Sequence, residues 1–261
     1  MEKIPQDIIG DIALLKFPRR IFWLIKKLKA RKFLKEHKTL KTVLEKTEGF
    51  SGELRTLKTK YLAGIKTKEA TYKENGCIFK YNVDESYFSP RLSNERKIIA
   101  DEVVKLSKNK GTKILVMFAG ISPYPIVLAK KLKQSGKQAE IISNELNKKA
   151  NIAGEKNIIL NKLQNIITLV GGDAKTLPTK LKAKFDIILM PRPNLKDTFL
   201  ETVLRLSKKG TTIFYHGFGT KKEVLDEIKR NTKNKIEKIS IRKAGDIGPY
   251  KYRWQVRFKV K

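Results

Sequence analysis

The sequence predicts an α/β protein: a mostly parallel sheet covered on both faces, preceded by a small α+β domain. Three observations lead there. From about Ser93, short buried-strand runs alternate with helical segments, the pattern of consecutive β–α units. Residues 1–82 instead mix short strand-like runs, one basic helix and Gly-rich turns. The chain has 261 residues of which 40% are hydrophobic, enough to bury a core and long enough for a large domain or two smaller ones. We divide it at 1–82 and 83–261.

In the first domain, Ile8–Leu15 reads as a strand. Ile21–Lys38 (IFWLIKKLKARKFLKEHK) places Ile21, Leu24, Ile25 and Leu28 at i, i+3, i+4 and i+7, an amphipathic helix whose other face is Lys and Arg. Its expected place is on its own domain with the basic face in solvent. Thr42–Leu44 and Glu53–Leu62 read as strands around the turn Glu48-Gly49-Phe50-Ser51-Gly52. Ala70–Lys80 reads as a hairpin turning at Asn75-Gly76. In the second domain Ser93–Leu106 is helical. Strands follow at Lys113–Phe118, Ala139–Ser143, Ile166–Val170, Phe185–Met190 and Thr211–Tyr215, with helices at Ile126–Lys133, Lys148–Asn161, Leu195–Ser207 and Lys221–Arg230. Ile236–Ile241 and Trp254–Val260 have period-2 patterning and are expected as an antiparallel addition at one edge.

Composition narrows the function. There are 58 Lys+Arg against 26 Asp+Glu, a formal net charge of +32, which points to a polyanion and most often to nucleic acid. The excess is spread: residues 1–80 hold 20 basic and 9 acidic side chains, a net of +11, and the rest carry +21. No apolar run approaches the ~20 residues of a membrane span, and the N-terminus, with Glu2 and Asp7, has no signal core. The single cysteine, Cys77, excludes an internal disulfide and is expected as a small buried hydrophobe. With only two histidines, His37 and His216, a Cys/His zinc cluster is excluded. A cytoplasmic protein with no membrane association is expected.

Ligands of open α/β sheets bind beyond the carboxyl ends of the strands. After the first parallel strand stands Phe118-Ala119-Gly120-Ile121-Ser122-Pro123, after the second Asn144-Glu145-Leu146-Asn147, and after the third Gly171-Gly172-Asp173-Ala174. A glycine lets a ligand approach backbone, an acid after the second strand accepts from ribose hydroxyls, and an acid after the third can accept from an adenine amino group. Each element alone also reads as an ordinary turn or helix cap. In register they fit a Rossmann-like class I S-adenosylmethionine (AdoMet) methyltransferase sheet better than a dinucleotide site, because Ser122 and Pro123 stand where a pyrophosphate loop wants further glycines.

Tyr87-Phe88-Ser89-Pro90-Arg91-Leu92-Ser93-Asn94-Glu95-Arg96, followed by Phe118-Ala119-Gly120, closely resembles the archaeal and eukaryotic tRNA (guanine-37-N1)-methyltransferase family. Ser51-Gly52-Glu53-Leu54-Arg55 and Asn75-Gly76-Cys77-Ile78-Phe79-Lys80 resemble it in the same order, and Ile8-Ile9-Gly10-Asp11-Ile12-Ala13 resembles the start of its middle domain. The likeness covers nearly the whole chain; the ten-residue motif is specific and the cofactor loops are generic. It implies S-adenosyl-L-methionine as cofactor and the anticodon loop and stem of tRNA as partner; a monomer is expected. It further implies Glu95 as general base and Arg55 as the arginine that stabilises the reacting guanine. Tyr87, Arg91 and Arg96 are implied at the cofactor or active-site wall, and Phe118, Ala119, Gly120, Glu145, Leu146, Asp173, Ala174 and Pro193 around the cofactor. The chemistry asks for these types. Guanine N1 carries a proton that a base must remove as the methyl arrives, and a fixed guanidinium stabilises the charge that builds on O6.

Three departures stand out. Val116 replaces the family's acid at the end of the first strand. Pro191-Arg192-Pro193 replaces its Asn-Leu-Pro, so no side-chain amide is present at Pro191, and Arg192 is expected either on RNA phosphate or in solvent. Full-length members also carry a domain that grips the tRNA elbow, so a short form is expected, held through the anticodon stem and phosphates. Two other readings remain: a wyosine-pathway methyltransferase on the same nucleotide, and an inactive tRNA-binding protein. His216 either lines the target pocket or packs in the core, and Pro249–Trp254 is either an aromatic–basic RNA contact or an ordinary hairpin.

Overall fold

The computed structural model describes residues 4–49, 52, 54 and 56–261. Ile8–Leu15 is not one strand. Gly10, at φ +56°, reverses the chain so that β1 (Gln6–Ile9) and β2 (Ile12–Leu15) pair antiparallel. β3 (Thr42–Lys46) runs parallel to β2, and helix α1 (Trp23–Glu36) makes the crossover this requires. β4 (Thr59–Gly64) closes the sheet in the order β1-β2-β3-β4 and is shorter than the predicted run from Glu53.

Of the predicted apolar stripe of α1, all but Ile21 is turned outward. Leu24, Ile25 and Leu28 are 53%, 47% and 63% exposed. The helix meets the sheet through Ala30, which is fully buried, flanked by Ile21, Phe33 and Leu34. Lys26 reaches down to Glu45 on β3 at 2.6 Å. A small residue permits close approach of helix and sheet, and the long Lys26 stem covers apolar surface while its ammonium is paired.

β5 (Glu69–Glu74) and β6 (Cys77–Asn82) form the predicted hairpin around Asn75-Gly76. Although assigned above to the first domain, it is stitched to the second. The Asn157 carboxamide oxygen accepts from Lys80 N–H at 2.7 Å, and Asn161 both accepts from Ile78 N–H at 3.0 Å and donates to its carbonyl at 2.7 Å. Cys77 is buried here, and burial pushes its thiol up to about 11.

The large sheet has seven strands in the order β12-β13-β11-β10-β7-β8-β9. β7 (Thr112–Val116), β8 (Ala139–Glu145), β9 (Ile167–Gly171), β10 (Phe185–Met190) and β11 (Ser207–Gly219) are parallel. β12 (Ile236–Gly248) and β13 (Lys251–Val260) are the expected antiparallel edge pair, longer than their patterns suggested. α2 (Ser93–Leu106), α3 (Pro123–Gln134) and α4 (Lys148–Leu160) cover one face; a short α5 (Leu177–Lys180), α6 (Leu200–Leu206) and α7 (Lys221–Thr232) cover the other. The central strands are apolar on both sides, as two covered faces demand: on β10, Ile187 and Leu189 face one core and Ile188 and Met190 the other. The first core continues into the inner face of the N-terminal sheet through Ile12, Leu14 and Leu44.

Candidate active site

β7 and β10 are neighbours, but the chain leaves β7 towards β8 and leaves β10 towards β11. Their following loops diverge and open a crevice at the carboxyl edge, the switch point at which such sheets bind ligands. A cavity lies there, and Tyr87, Phe118, Gly120, Glu145, Leu146, Asp173, Ala174 and Pro193 line it. The β7–α3 turn is tight, with Phe118, Gly120 and Ser122 at φ +56°, +57° and +65°. Gly120 donates its N–H to Glu145 Oε2 at 2.7 Å, and Glu145 Oε1 accepts from Asn147 N–H at 2.9 Å. The carboxylate is thus fixed across the cavity floor, and its remaining lone pairs can accept from a ligand. A Cβ at Gly120 would meet only the Tyr87 carbonyl, at 3.5 Å, so the space above this backbone is open.

Asp173 accepts from Lys175 N–H at 2.9 Å as the cap of a short helical turn, while also lining the cavity. Asn144, at the end of β8, donates to the carbonyls of Val170 and Gly172 at 2.8 and 3.0 Å and holds the Asp173 loop in place. Phe118 and Phe199 meet edge-on at 4.9 Å and, with Leu146 and Ala174, give the cavity apolar walls.

Other predicted residues sit elsewhere. Ala119 is buried behind the wall and donates its N–H to Asn144 O at 2.9 Å. Arg91 faces a separate groove beside β1 and pairs with Asp7 at 2.5 Å. Arg96 is 2% exposed and does not line the cavity. Its Nε and Nη2 both bind Glu74, the latter at 2.5 Å, and Nη2 also donates to Ser89 O at 3.0 Å. The structure therefore makes both arginines ties between the ten-residue motif and the preceding elements, and neither lines the cavity. Arg55 lies outside the described residues, as do Ser51 and Glu53.

Glu95, in the first turn of α2, is 6% exposed. Arg242 of β12 donates to both its oxygens, Nη1 to Oε2 at 2.6 Å and Nη2 to Oε1 at 2.8 Å. His216 of β11 brings Nε2 to 3.4 Å from Oε1 without making a hydrogen bond. Burial would raise the Glu95 carboxyl, but His216 and Arg242 outweigh it and hold it below its ordinary value. His216 is 2% exposed and lines the cavity. Burial lowers its pKa against the pull of Glu95, and Arg253 and Arg242 lower it further.

Arg192 is not in bulk water and belongs to the cavity lining. It is 3% exposed and turned inward, donating to the carbonyls of Leu195 and Asp197 at 2.9 and 3.1 Å and to Glu227 at 3.1 Å, over the Tyr215 ring. It shapes the Pro191–Pro193 loop from within. Val116 is fully buried in the sheet. Tyr250–Trp254 belongs to the β12–β13 hairpin, with Lys243 over the Tyr252 ring at 4.1 Å. Sequence reasoning missed Arg242, one basic residue among 58, and had Arg253 only as part of Pro249–Trp254; strand pairing brings Arg253 to the cavity wall and Arg242 to Glu95.

Known proteins resemble this chain in sequence and in fold. A Nanoarchaeum equitans protein named tRNA (guanine(37)-N(1))/4-demethylwyosine(37)-methyltransferase Taw22 is 34% identical over 300 residues, spanning 96% of this chain and 97% of its own. The tRNA (guanine(37)-N(1))-methyltransferase Trm5b of Pyrococcus abyssi is 31% identical over 262 residues, spanning 97% of this chain and 74% of its own. Its crystal structure matches with a TM-score of 0.81, covering 98% of this chain and 75% of that one. The structure of a complex of aTrm5 with tRNALeu matches with a TM-score of 0.83 at 25% identity, covering 99% and 72%. A model of the TRM5/TYW2 methyltransferase domain matches residues 70–243, which include Glu95, Glu145, His216 and Arg242. By sequence and by fold, this chain belongs to the TRM5/TYW2 methyltransferase family.

Proposed function

We propose that this protein transfers the methyl group of AdoMet to N1 of guanosine 37 in the anticodon loop of tRNA. The observation that carries the proposal is a single cavity with Glu145 at its β8 end and His216, backed by Glu95, at its β11 end. The residues present fit AdoMet. Glu145 offers a fixed carboxylate to the ribose hydroxyls, open backbone at Gly120 lets the ligand approach, and Leu146, Ala174 and Phe199 give apolar surface for the adenine beside Asp173. When bound, AdoMet supplies an electrophilic methyl on a sulfonium. The chain's task is then to hold guanine edge-on, exclude water and take the N1 proton. A base stacked in the anticodon loop must be flipped out to reach the cavity, and the charge of +32 favours a phosphate-bearing partner.

A second reading has its own support. Pro191 offers no side-chain amide to the reacting centre, and the 34% identical N. equitans relative is named for both guanosine 37 and 4-demethylwyosine. The test is incubation with methyl-labelled AdoMet and tRNA transcripts bearing G or A at position 37, followed by nucleoside analysis. Label in 1-methylguanosine that depends on G37 is expected, and label independent of G37 would refute the proposal. Glu95→Gln should lower turnover by roughly 10²–10⁴-fold with AdoMet affinity retained. Transfer to tRNA carrying 4-demethylwyosine would add the second activity.

A further inference from the structure

Among the described residues, the arginines that the fold buries or half-buries have carboxylate partners, with one exception. Arg96 pairs with Glu74, Arg192 with Glu227, Arg242 with Glu95 and Arg257 with Glu102. Arg253, half-buried on β13, has neither an ion pair nor a hydrogen bond among the described residues. It lines the cavity together with Pro191, Pro193, Leu195 and His216. Strand pairing sets it opposite Phe218 of β11, and its guanidinium carbon lies 5.5 Å from the centre of that ring. The acids lining the same cavity, Glu145 and Asp173, stand on the β8 and β9 side, across the sheet from β13. A guanidinium drawn partly out of water with no anion beside it costs free energy that a ligand bearing acceptors would recover.

We propose that Arg253 reads the target base, donating to O6 and N7 of guanine 37; the inference rests on the reaction proposed above. These two acceptors lie side by side on one edge of guanine, at the spacing of a guanidinium fork. Adenine shows an amino donor beside N7 on that edge, so an adenine there sets donor against donor. Phe218 flanks the guanidinium and favours one plane for the fork. O6 adjoins N1 on the ring, so a base held by this edge keeps N1 in the same end of the cavity as His216. A phosphate also pairs with a guanidinium, but Pro191, Pro193 and Leu195 around Arg253 are apolar surface, suited to the faces of a flat base rather than to a hydrated phosphate.

The test is single-turnover methyl transfer to tRNA carrying guanine or 7-deazaguanine at position 37, with AdoMet affinity measured by calorimetry and tRNA affinity measured against salt. The 7-deaza base replaces the N7 acceptor with C–H and keeps N1 and O6. The wild type should be roughly 10-fold slower on it. Arg253→Met should lower the rate on guanine by roughly 10- to 100-fold, treat the two bases alike, and leave AdoMet affinity and the salt slope unchanged. Arg253→Lys, which restores a single donor without the fork, should recover part of the rate. The wild-type comparison needs no variant and carries the test if Arg253→Met folds poorly. Equal wild-type rates on the two bases would overturn the inference. So would an Arg253→Met protein that still prefers guanine to the 7-deaza base as the wild type does, or one whose salt slope is shallower by about 1, the mark of a lost phosphate contact. Wild-type protein that transfers nothing to G37 would instead sink the reaction itself; transfer to G37 that ignores N7 sinks only the reading of Arg253.

Discussion

Arg96 shows how a motif residue and a site residue can differ. It sits next to Glu95 in the most specific stretch of the sequence, yet the guanidinium turns away from the cavity and locks onto Glu74 at the β5–β6 turn. Phe88 and Tyr124 enclose it, at 5.0 and 5.9 Å from the guanidinium carbon. Removing one partner of a buried pair leaves an uncompensated charge, so Arg96→Met should cost roughly 3–5 kcal/mol in urea denaturation. Adding Glu74→Leu should recover most of that loss. A cofactor contact would show the reverse pattern, with weakened AdoMet binding and unaltered stability. Glu95 itself was legible because its motif names it. Arg242 was not, because 147 positions separate it from Glu95 and nothing local distinguishes it from the other arginines.

Among the elements, the hairpin at the start of the chain and helix α1 are the two that pattern alone misread. Ile8–Leu15 is apolar enough for one strand, but Gly10 in the left-handed region turns it, and Asp11 accepts from Thr71 N–H at 2.8 Å to dock the turn on β5. A Cβ at residue 10 would lie 1.8 Å from the Thr71 carbonyl oxygen. Gly10→Ala should therefore destabilise the fold by roughly 2–3 kcal/mol, read as a lowered thermal midpoint. An unchanged midpoint would show that the turn relaxes away from β5. In α1 the spacing of Leu24, Ile25 and Leu28 is truly helical, but amphipathic spacing does not say which face a sheet will take. The sheet took the face bearing Ala30, because the small residue brings the backbones close and Glu45 waits to pair Lys26.

Taken whole, the molecule couples a strongly basic surface to a site whose specificity lies inside. The acids that line the cavity, Glu145 and Asp173, are fixed by backbone donors, whereas most lysines are exposed and spread over both domains. Binding of tRNA should therefore depend steeply on salt. Each phosphate contact contributes about −0.7 to −0.9 to the slope of log affinity against log salt, so a slope of about −4 or steeper is expected. A slope near zero would mean that the surface charge does not engage the backbone of the RNA.

The fold class, the order of β–α units, the hairpin at Asn75-Gly76 and the cavity-lining residues Gly120, Glu145 and Asp173 were determined by the sequence itself, because periodicity, turn chemistry and the carboxyl-edge rule act locally along the chain. The direction α1 faces, the inward turn of Arg192 and the meeting of Glu95, His216 and Arg242 were decided only by tertiary structure. These depend on which surfaces are brought into contact by a sheet whose strand order departs from chain order. The cluster of Glu95, His216 and Arg242 is assembled from α2, β11 and β12, which become neighbours only once β13 has paired between β11 and β12.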